Sequence, residues 1–366
     1  MMQIKEIIHY LETVAPLSLQ ESYDNSGLIV GNPSDDVTGV LISLDSTEDI
    51  VQEAIDKNCN LIVAHHPIVF SGLKKINGKN YVERTIIKAI KNNIAIYACH
   101  TNLDNVLRNG VNQKIGETIG LKNMKVLVPK RNLLSKLITF VPVDHQEKVR
   151  EAIFQAGAGQ IGDYSHCSFN TTGEGTYKAL EGANPYLGQI GEVHHEKEVK
   201  VEVIFPNYLQ GAVVSALLKA HPYEEVAYDI ISLNNSVSTI GSGVLGELPE
   251  EMPITDFLNH LKQKMQAGCI KYTEPHKETV KRIALCGGSG SFLLNDAKKH
   301  QADIFITSDY KYHQFFDAEG QIVIADIGHY ESEQYTIDLF QELLQQQFED
   351  LKIVKTSLNT NPVRYI

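Results

Sequence analysis

His65 and His66 stand side by side at the end of an apolar run, Leu61-Ile62-Val63-Ala64, with Pro67 directly after them. Four consecutive apolar residues predict a buried strand, and a proline, which lacks an N–H, predicts its end. Side chains alternate faces along a regular strand, so two adjacent imidazoles converge on one place only where the backbone bends away. Such strand ends are where open α/β sheets collect ligands. Two more predicted strand ends carry the same residue types. Residues 94–99 run into His100, with Asp104 four positions on, and residues 322–325 lead to His329, with Glu333 four positions on. A histidine and a carboxylate so spaced at the start of a helix share one face and reach one ion. Mixed imidazole and carboxylate ligation suits zinc, manganese, iron or cobalt. His65 and His66, His100 or Asp104, and His329 with Glu333 are too many ligands for one catalytic ion with an open position. They are the right number for two ions about 3.5–4 Å apart.

The surrounding pattern supplies the scaffold. Ile4, Ile7, Ile8 and Leu11 recur at helical spacing ahead of Pro16. Residues 21–31 read as a polar loop running into a short apolar strand bounded by Gly27 and Gly31, and the loop's Asp24 and Asn25 read either as turn formers or as groups facing a site. Strands are predicted over 37–44, 61–64 and 94–99, and helices over 47–57, capped by Ser46 or Thr47, and over 81–92. Strand, helix, strand, helix, strand is the order of a largely parallel sheet. From Leu133 the pattern changes to strand 133–141, helix 146–156, a Gly-rich strand-like stretch to Pro206, helix 208–220 and strand 226–233. That is the ferredoxin-like split pattern of an α+β domain. The last third returns to the first style, with strand 282–285, a tight turn over 286–291, helix 292–299 and strands 303–307 and 322–325. His100 with Asp104 and His329 with Glu333 then follow strands of the same rank, the mark of an internal duplication. The expected fold is a duplicated α/β core, residues 1–125 and 238–366, with a ferredoxin-like α+β domain, residues 126–237, between its halves.

Composition narrows the partners. Lys and Arg total 33 against 45 Asp and Glu, a formal net charge of −12. An acidic chain without a dense basic block has no overall attraction for phosphate backbones, so nucleic acid is not the expected partner. A ring of basic side chains such as Lys74, Lys75 and Lys79, gathered by symmetry, is what threading of nucleic acid would need. The five cysteines are scattered and form no C-x-x-C pair, which is the usage of a reducing compartment and argues against a closed thiolate metal site. No apolar run approaches the roughly 20 residues of a membrane span, and the N-terminal residues read as an amphipathic helix rather than a signal segment. The expected location is the cytoplasm.

Four motifs in this order carry a resemblance. His65-His66-Pro67 with Phe70, Cys99-His100-Thr101-Asn102-Leu103-Asp104, Cys286-Gly287-Gly288-Ser289-Gly290, and Gly328-His329 followed by Glu333 look like the Nif-three-like family, the GTP cyclohydrolase I type 2 homologues. The resemblance covers residues 1 to about 125 and 238 to 366. It implies a dinuclear metal site carried over as His65, His66, Asp104, His329 and Glu333, holding two divalent ions, zinc first with manganese, iron or cobalt as alternatives. It also implies a toroidal homohexamer, and a middle segment similar to the PII and CutA-like fold. Tyr23 replaces a tryptophan common in the family, and Thr307-Ser308-Asp309 replaces Thr-Gly-Asp; neither change touches the carried-over ligands.

His100 remains outside that set, as a histidine bracing the ligand-bearing loop or as a general base. The glycine-rich turn at 286–291 opens a predicted helix, and its backbone donors could hold a phosphate or carboxylate, though it lacks the lysine of a P-loop. His194-His195-Glu196 and His221 are expected in a solvated acidic loop. Two functions fit. The first is a metal-dependent hydrolase of a nucleotide or heterocyclic substrate, with Glu333 or His100 handling the proton. The second is a non-catalytic metal- or effector-binding regulatory protein. An open coordination position beside a pocket distinguishes the first from the second.

Overall fold

The structure, a computed structural model, describes residues 2–366. Its elements follow the predicted order closely. Helix α1 (Ile4–Val14) buries Ile4, Ile7 and Leu11. Strand β1 (Gly27–Val30) precedes β2 (Val40–Ser43), and α2 (Glu48–Asp56) starts where the Thr47 hydroxyl accepts the Ile50 N–H. Strand β3 (Leu61–Ala64), helix α3 (Tyr81–Lys91) and strand β4 (Ala95–Ala98) follow, with all four residues of β3 and of β4 buried. The short α4 (Thr101–Asp104) and α5 (Val111–Thr118) lead into β5 (Lys122–Arg131). The middle of the chain forms β6 (Leu134–Pro142), α6 (Gln146–Gln155), β7 (Phe169–Lys178), β8 (Val193–Pro206), α7 (Gln210–Ala220) and β9 (Tyr228–Leu233). The chain returns through β10 (Ser236–Pro253), α8 (Ile254–Lys264), β11 (Lys271–Tyr272), β12 (Thr279–Ser289), α9 (Leu294–Lys299), β13 (Ile304–Ser308) and β14 (Val323–Asp326). It ends with α10 (His329–Glu333), α11 (Thr336–Gln347) and β15 (Ile353–Lys355).

Two compact units emerge, one from residues 1–129 with 238–366 and one from residues 130–237. The first unit contains two sheets built on one plan. In one, β2, β3 and β4 run parallel, with β1 antiparallel on the far side of β4. In the other, β12, β13 and β14 run parallel, with β11 antiparallel on the far side of β14. Strands β4 and β14 thus hold equivalent places. Strand β5 sits at the edge of the second sheet beside β10, which is why the first unit extends to Pro129. Separate apolar clusters fill the two layers, one around Leu41, Ile50, Ile62 and Ile96 and the other around Ala284, Phe305 and Ile324.

The unit of residues 130–237 is a four-stranded antiparallel sheet, in the order β7-β8-β6-β9, joined by helices α6 and α7 in a β-α-β-β-α-β succession. Val199, Val201, Val203 and Phe205 alternate along β8 and pack with Val149, Ile153, Val213 and Leu217 of the helices.

Two local readings of the sequence are corrected. Residues 286–289 are not a tight turn but the end of β12, where the register with β13 shifts between Leu285 and Ser289. Gly288, at φ +60°, makes that irregularity possible because an L side chain rarely adopts this conformation. His194-His195-Glu196 do not lie in a loop but on β8, and His221 is buried with its Nε2 against the Phe140 carbonyl.

Candidate metal centre

His65 and His66 leave β3 where both backbone N–H groups donate to the Leu44 carbonyl, bending the chain so that neighbouring imidazoles turn the same way. Their ring centroids lie 5.0 Å apart, and His100 stands 5.2 Å from His65 and 5.5 Å from His66. From the second half, His329 lies 5.3 Å from His66. His329 opens α10 after Gly328, whose φ of 92° turns the chain out of β14. Side chains 65, 66, 100, 104, 329 and 333 therefore gather in one place although they come from opposite ends of the unit.

Each imidazole is held by its Nδ1. His65 Nδ1 lies 2.9 Å from the Cys99 carbonyl, His66 Nδ1 2.7 Å from Asp45, His100 Nδ1 2.8 Å from Asp24, and His329 Nδ1 2.7 Å from Asp309. A carbonyl or carboxylate only accepts, so Nδ1 donates in all four and Nε2 is the nitrogen turned inward. This is the arrangement that orients metal-binding histidines.

Glu333, 2% exposed, occupies the middle. Its Oε2 lies 2.9 Å from His66 Nε2 and 3.1 Å from His329 Nε2, while Oε1 faces His65 Nε2 at 3.8 Å. His65 Nε2 is also 3.6 Å from Asp104 Oδ1. Ligand atoms of His66, His329 and Glu333 lie within 4.8 Å of one another, as do those of His65, Asp104 and Glu333, and those of His65, His66 and His100. The first two sets share only Glu333, one oxygen of which faces each. His65 Nε2 and Asp104 Oδ1 are buried and have no hydrogen-bond partner among the described residues. Unsatisfied buried polar atoms are costly and rare. Two of them pointing at each other, across a gap longer than a hydrogen bond, fit a cation between them.

The electrostatics agree. Five carboxylates, Asp24, Asp45, Asp104, Asp309 and Glu333, surround four imidazoles. Burial first, and the neighbouring Glu333 charge second, push Asp104 up to about 7. Burial works against the charge on Glu333, but the imidazoles of His329, His65 and His66 hold its carboxyl well below the usual range. Burial likewise opposes protonation of His66 and His329, yet their carboxylate neighbours raise them to about 9 and about 11. A field that holds protons this firmly is one that divalent cations satisfy.

A cavity of about 690 Å³ opens beside the cluster, lined by His66, His100, Asp104, His329 and Glu333 together with Tyr23 and Phe70. Phe70 meets the His100 ring edge-on at 5.5 Å. The tail after β15 forms part of the wall, where Thr360 donates to Asp45 and Asn361 to Glu331.

Sequence reasoning named all six inner side chains. Asp24 does both: it accepts from the Asn25 N–H and the Ser26 hydroxyl of its own turn, and from behind the site it accepts from His100 Nδ1 and the Thr101 N–H. Asp45 and Asp309 were not foreseen as partners of the histidines. Their signal was position, an acid just after a parallel strand, as Asp45 follows β2 and Asp309 follows β13. The proposed anion cradle at 286–291 is corrected: the N–H groups of Gly287, Gly288 and Gly290 donate to Asn112, Ser332 and Thr307. The acids and histidines of β8 do not join the cluster. His194 faces Glu196 at 3.1 Å and His195 faces Glu174 at 3.1 Å.

The fold and cluster define an α/β protein with a histidine–carboxylate cluster that could hold a metal ion. Comparison with known proteins gives the family. The model of Duf34/NIF3 (NGG1p interacting factor 3) matches residues 2–362, and the chain belongs to that family. It is 37% identical over 366 residues to a protein of Halalkalibacterium halodurans named GTP cyclohydrolase 1 type 2 homolog, covering 98% of each chain. A Bacillus subtilis protein of the same name is 38% identical, over 89% of this chain and 88% of that one. The crystal structure of a Bacillus cereus protein related to NIF3 superposes with a TM-score of 0.87 at 38% identity, covering 100% of this chain and 99% of that one. No helix among the described residues is long and apolar enough to cross a membrane.

Proposed function

We propose that the chain would hold two divalent cations, with Glu333 offering one oxygen to each ligand set, and that its activity is hydrolysis of a nucleotide or heterocyclic substrate. His66 and His329 with one oxygen of Glu333 would hold one ion; His65 and Asp104 with the other oxygen would hold its neighbour. The observation that carries this reading is the facing pair of buried, unpartnered atoms, His65 Nε2 and Asp104 Oδ1, beside a carboxylate offering one oxygen to each ligand set. When bound, such a pair of ions supplies Lewis acidity and lowers the pKa of water at the site.

The chain's own groups supply the rest. Asp24 keeps the His100 Nδ1 proton in place and leaves Nε2 directed toward the cluster, where it can take a proton from an attacking water. Tyr23 and Phe70 offer apolar surface at the cavity, suited to a flat ring. The cavity favours turnover over storage, since a store needs no substrate-sized space next to its ions. The name GTP cyclohydrolase 1 type 2 homolog, carried by the relatives, agrees with a purine-type substrate.

Zinc is the first candidate metal, with manganese, iron and cobalt next. We read residues 130–237 as a ferredoxin-like, PII- or CutA-like domain set into a duplicated α/β core, supported by its element succession and strand order. A toroidal homohexamer, located in the cytoplasm, completes the reading. The test is anaerobic purification, elemental analysis, and a screen of the loaded protein against nucleotides and phosphoesters. Two metal equivalents with turnover lost in Glu333→Ala and slowed in His100→Ala are expected. Turnover at the wild-type rate in Glu333→Ala removes the catalytic assignment, and a metal-free protein that cannot be loaded removes the centre.

A further inference from the structure

The unit of residues 130–237 has its own cavity of about 780 Å³, on the face of the sheet opposite helices α6 and α7. Register explains why it is there. On that face β7 presents Gly173 and Gly175 directly opposite Glu198 and Glu196 of β8. A Cβ on Gly175 would lie 2.2 Å from Glu198 Oε2, whereas one on Gly173 would meet nothing within 4 Å. The two glycines thus let the Glu198 carboxylate lie flat against the strand and leave open space above it.

Three tyrosines wall this space. The ring centroids of Tyr177 and Tyr223 are 5.9 Å apart at 64°, and those of Tyr186 and Tyr223 are 6.3 Å apart at 48°. Tyr177 and Tyr223 meet edge to face and Tyr186 is tilted against Tyr223, so the three rings do not close into a stack. The wall is already fixed. Tyr177 donates to the Leu187 carbonyl, the Tyr186 hydroxyl meets His145 Nε2 at 3.0 Å, and the Asn184 N–H donates to Glu224.

Glu198, 8% exposed, accepts a hydrogen bond from the Tyr223 hydroxyl at 2.9 Å and has no ion-pair partner among the described residues. Lys178 and Lys200 also line the cavity, but Lys200 pairs with Glu202 rather than with Glu198. A buried carboxylate ordinarily has a cationic partner. Here the Tyr223 hydroxyl meets the carboxylate in place of a cation, and the tyrosine rings lining the same cavity offer faces that attract cations.

We infer that this cavity binds a small organic ammonium cation, its charged head on Glu198 and its alkyl groups between Tyr177, Tyr186 and Tyr223. The observation behind it is a preformed aromatic cage over a buried carboxylate that the protein does not neutralise. The metal centre plays no part in it.

Calorimetric titration of the full chain with choline, and with its uncharged isostere 3,3-dimethylbutan-1-ol, tests the inference. Choline is expected to bind, and the isostere to bind about tenfold or more weakly, since it lacks both the charge for Glu198 and the cation–π attraction. Gly173→Phe fills open space at an unstrained position, so it should keep the wild-type melting temperature and lose choline binding. Glu198→Gln should weaken choline about tenfold and leave the isostere unchanged. Absence of choline binding, equal affinity for the isostere, or unaltered choline binding in Gly173→Phe would each overturn the assignment. Should Glu198→Gln fail to fold, the isostere and Gly173→Phe decide alone.

Discussion

Replacing Asp309 by asparagine separates the orientation of a ligand from the ligand itself. Among the described residues Asp309 touches the site through its 2.7 Å contact with His329 Nδ1, and its backbone φ of 61° is a conformation asparagine tolerates. The variant keeps an acceptor and loses a charge. A hydrogen bond to a charged group contributes about 1.5–3 kcal/mol and a neutral one about 0.5–1.5 kcal/mol. Because the Asp309 side chain is 47% exposed, solvent screening holds the difference near the lower end, about 1 kcal/mol. That corresponds to a five- to tenfold loss, roughly, in affinity for a cation at His329, at the weak end of what outer partners of metal histidines provide. The assay is competition for zinc between the metal-free protein and a chromophoric chelator near neutral pH. His329→Ala removes the ligand atom and should weaken binding far more. Equal affinity of wild type and Asp309→Asn, alongside a large loss in His329→Ala, refutes the orienting role; wild-type affinity in both refutes the centre.

Other perturbations probe the scaffold. A Cβ on Gly288 would sit 2.3 Å from Glu333 Oε1 at a φ of +60°, so Gly288→Ala should cost about 1–2 kcal/mol and lower metal occupancy while circular dichroism stays native. Removing metal with a chelator should lower the melting temperature of wild type, by an amount equivalent to about 2.7 kcal/mol for each ion at a hundredfold excess over Kd, and leave Glu333→Ala unmoved. Burial opposes the charge on Glu53, but hydrogen bonds from Lys57, Thr356 and Ser357 hold its carboxyl down to about 2, against an ordinary 4.5. Its folded pKa is depressed, so its contribution of up to about 3 kcal/mol is present above pH 4.5 and fades as pH falls toward 2. Urea unfolding should show Glu53→Gln less stable than wild type at neutral pH, with the gap more than halved by about pH 3. A constant gap would contradict this.

How much of this was legible in the sequence follows from the range of the interactions. Buried parallel strands are continuous apolar runs, so β3, β4 and β14 announced themselves, and the histidines at their ends could be named at once. The common plan of the two sheets had a trace in the sequence, because a His-x-x-x-carboxylate pair follows β4 in one and β14 in the other. Pairings across long loops were not. Nothing near Asp45 in the chain distinguishes it from a helix-leading acid, because its partner His66 lies 21 positions away and its other partner, Thr360, 315 positions away. The glycine-rich stretch misled for the same reason. Locally Cys286-Gly287-Gly288-Ser289-Gly290 is turn chemistry, but pairing with β13 and hydrogen bonds to Asn112, Ser332 and Thr307 override it.

The two oxygens of Glu333 lead to a last expectation. One sits with His66 and His329, the other with His65 across from Asp104, so the two ligand sets depend on each other only through this side chain. Glutamine in its place keeps the shape but turns one of the two inward atoms into an NH₂ donor, which repels a cation and competes for the lone pairs of the imidazoles. Glu333→Gln should therefore damage both sets at once. Asp104 serves one set, and Asp104→Asn leaves His66, His329 and Glu333 intact. Elemental analysis after loading should find close to one metal per chain in Asp104→Asn and close to none in Glu333→Gln, against two in wild type. Full occupancy in Glu333→Gln would show that the ions do not meet at this carboxylate. Loss of both ions in Asp104→Asn would show that the sets are not separable, as a shared bridge with independent flanks requires them to be.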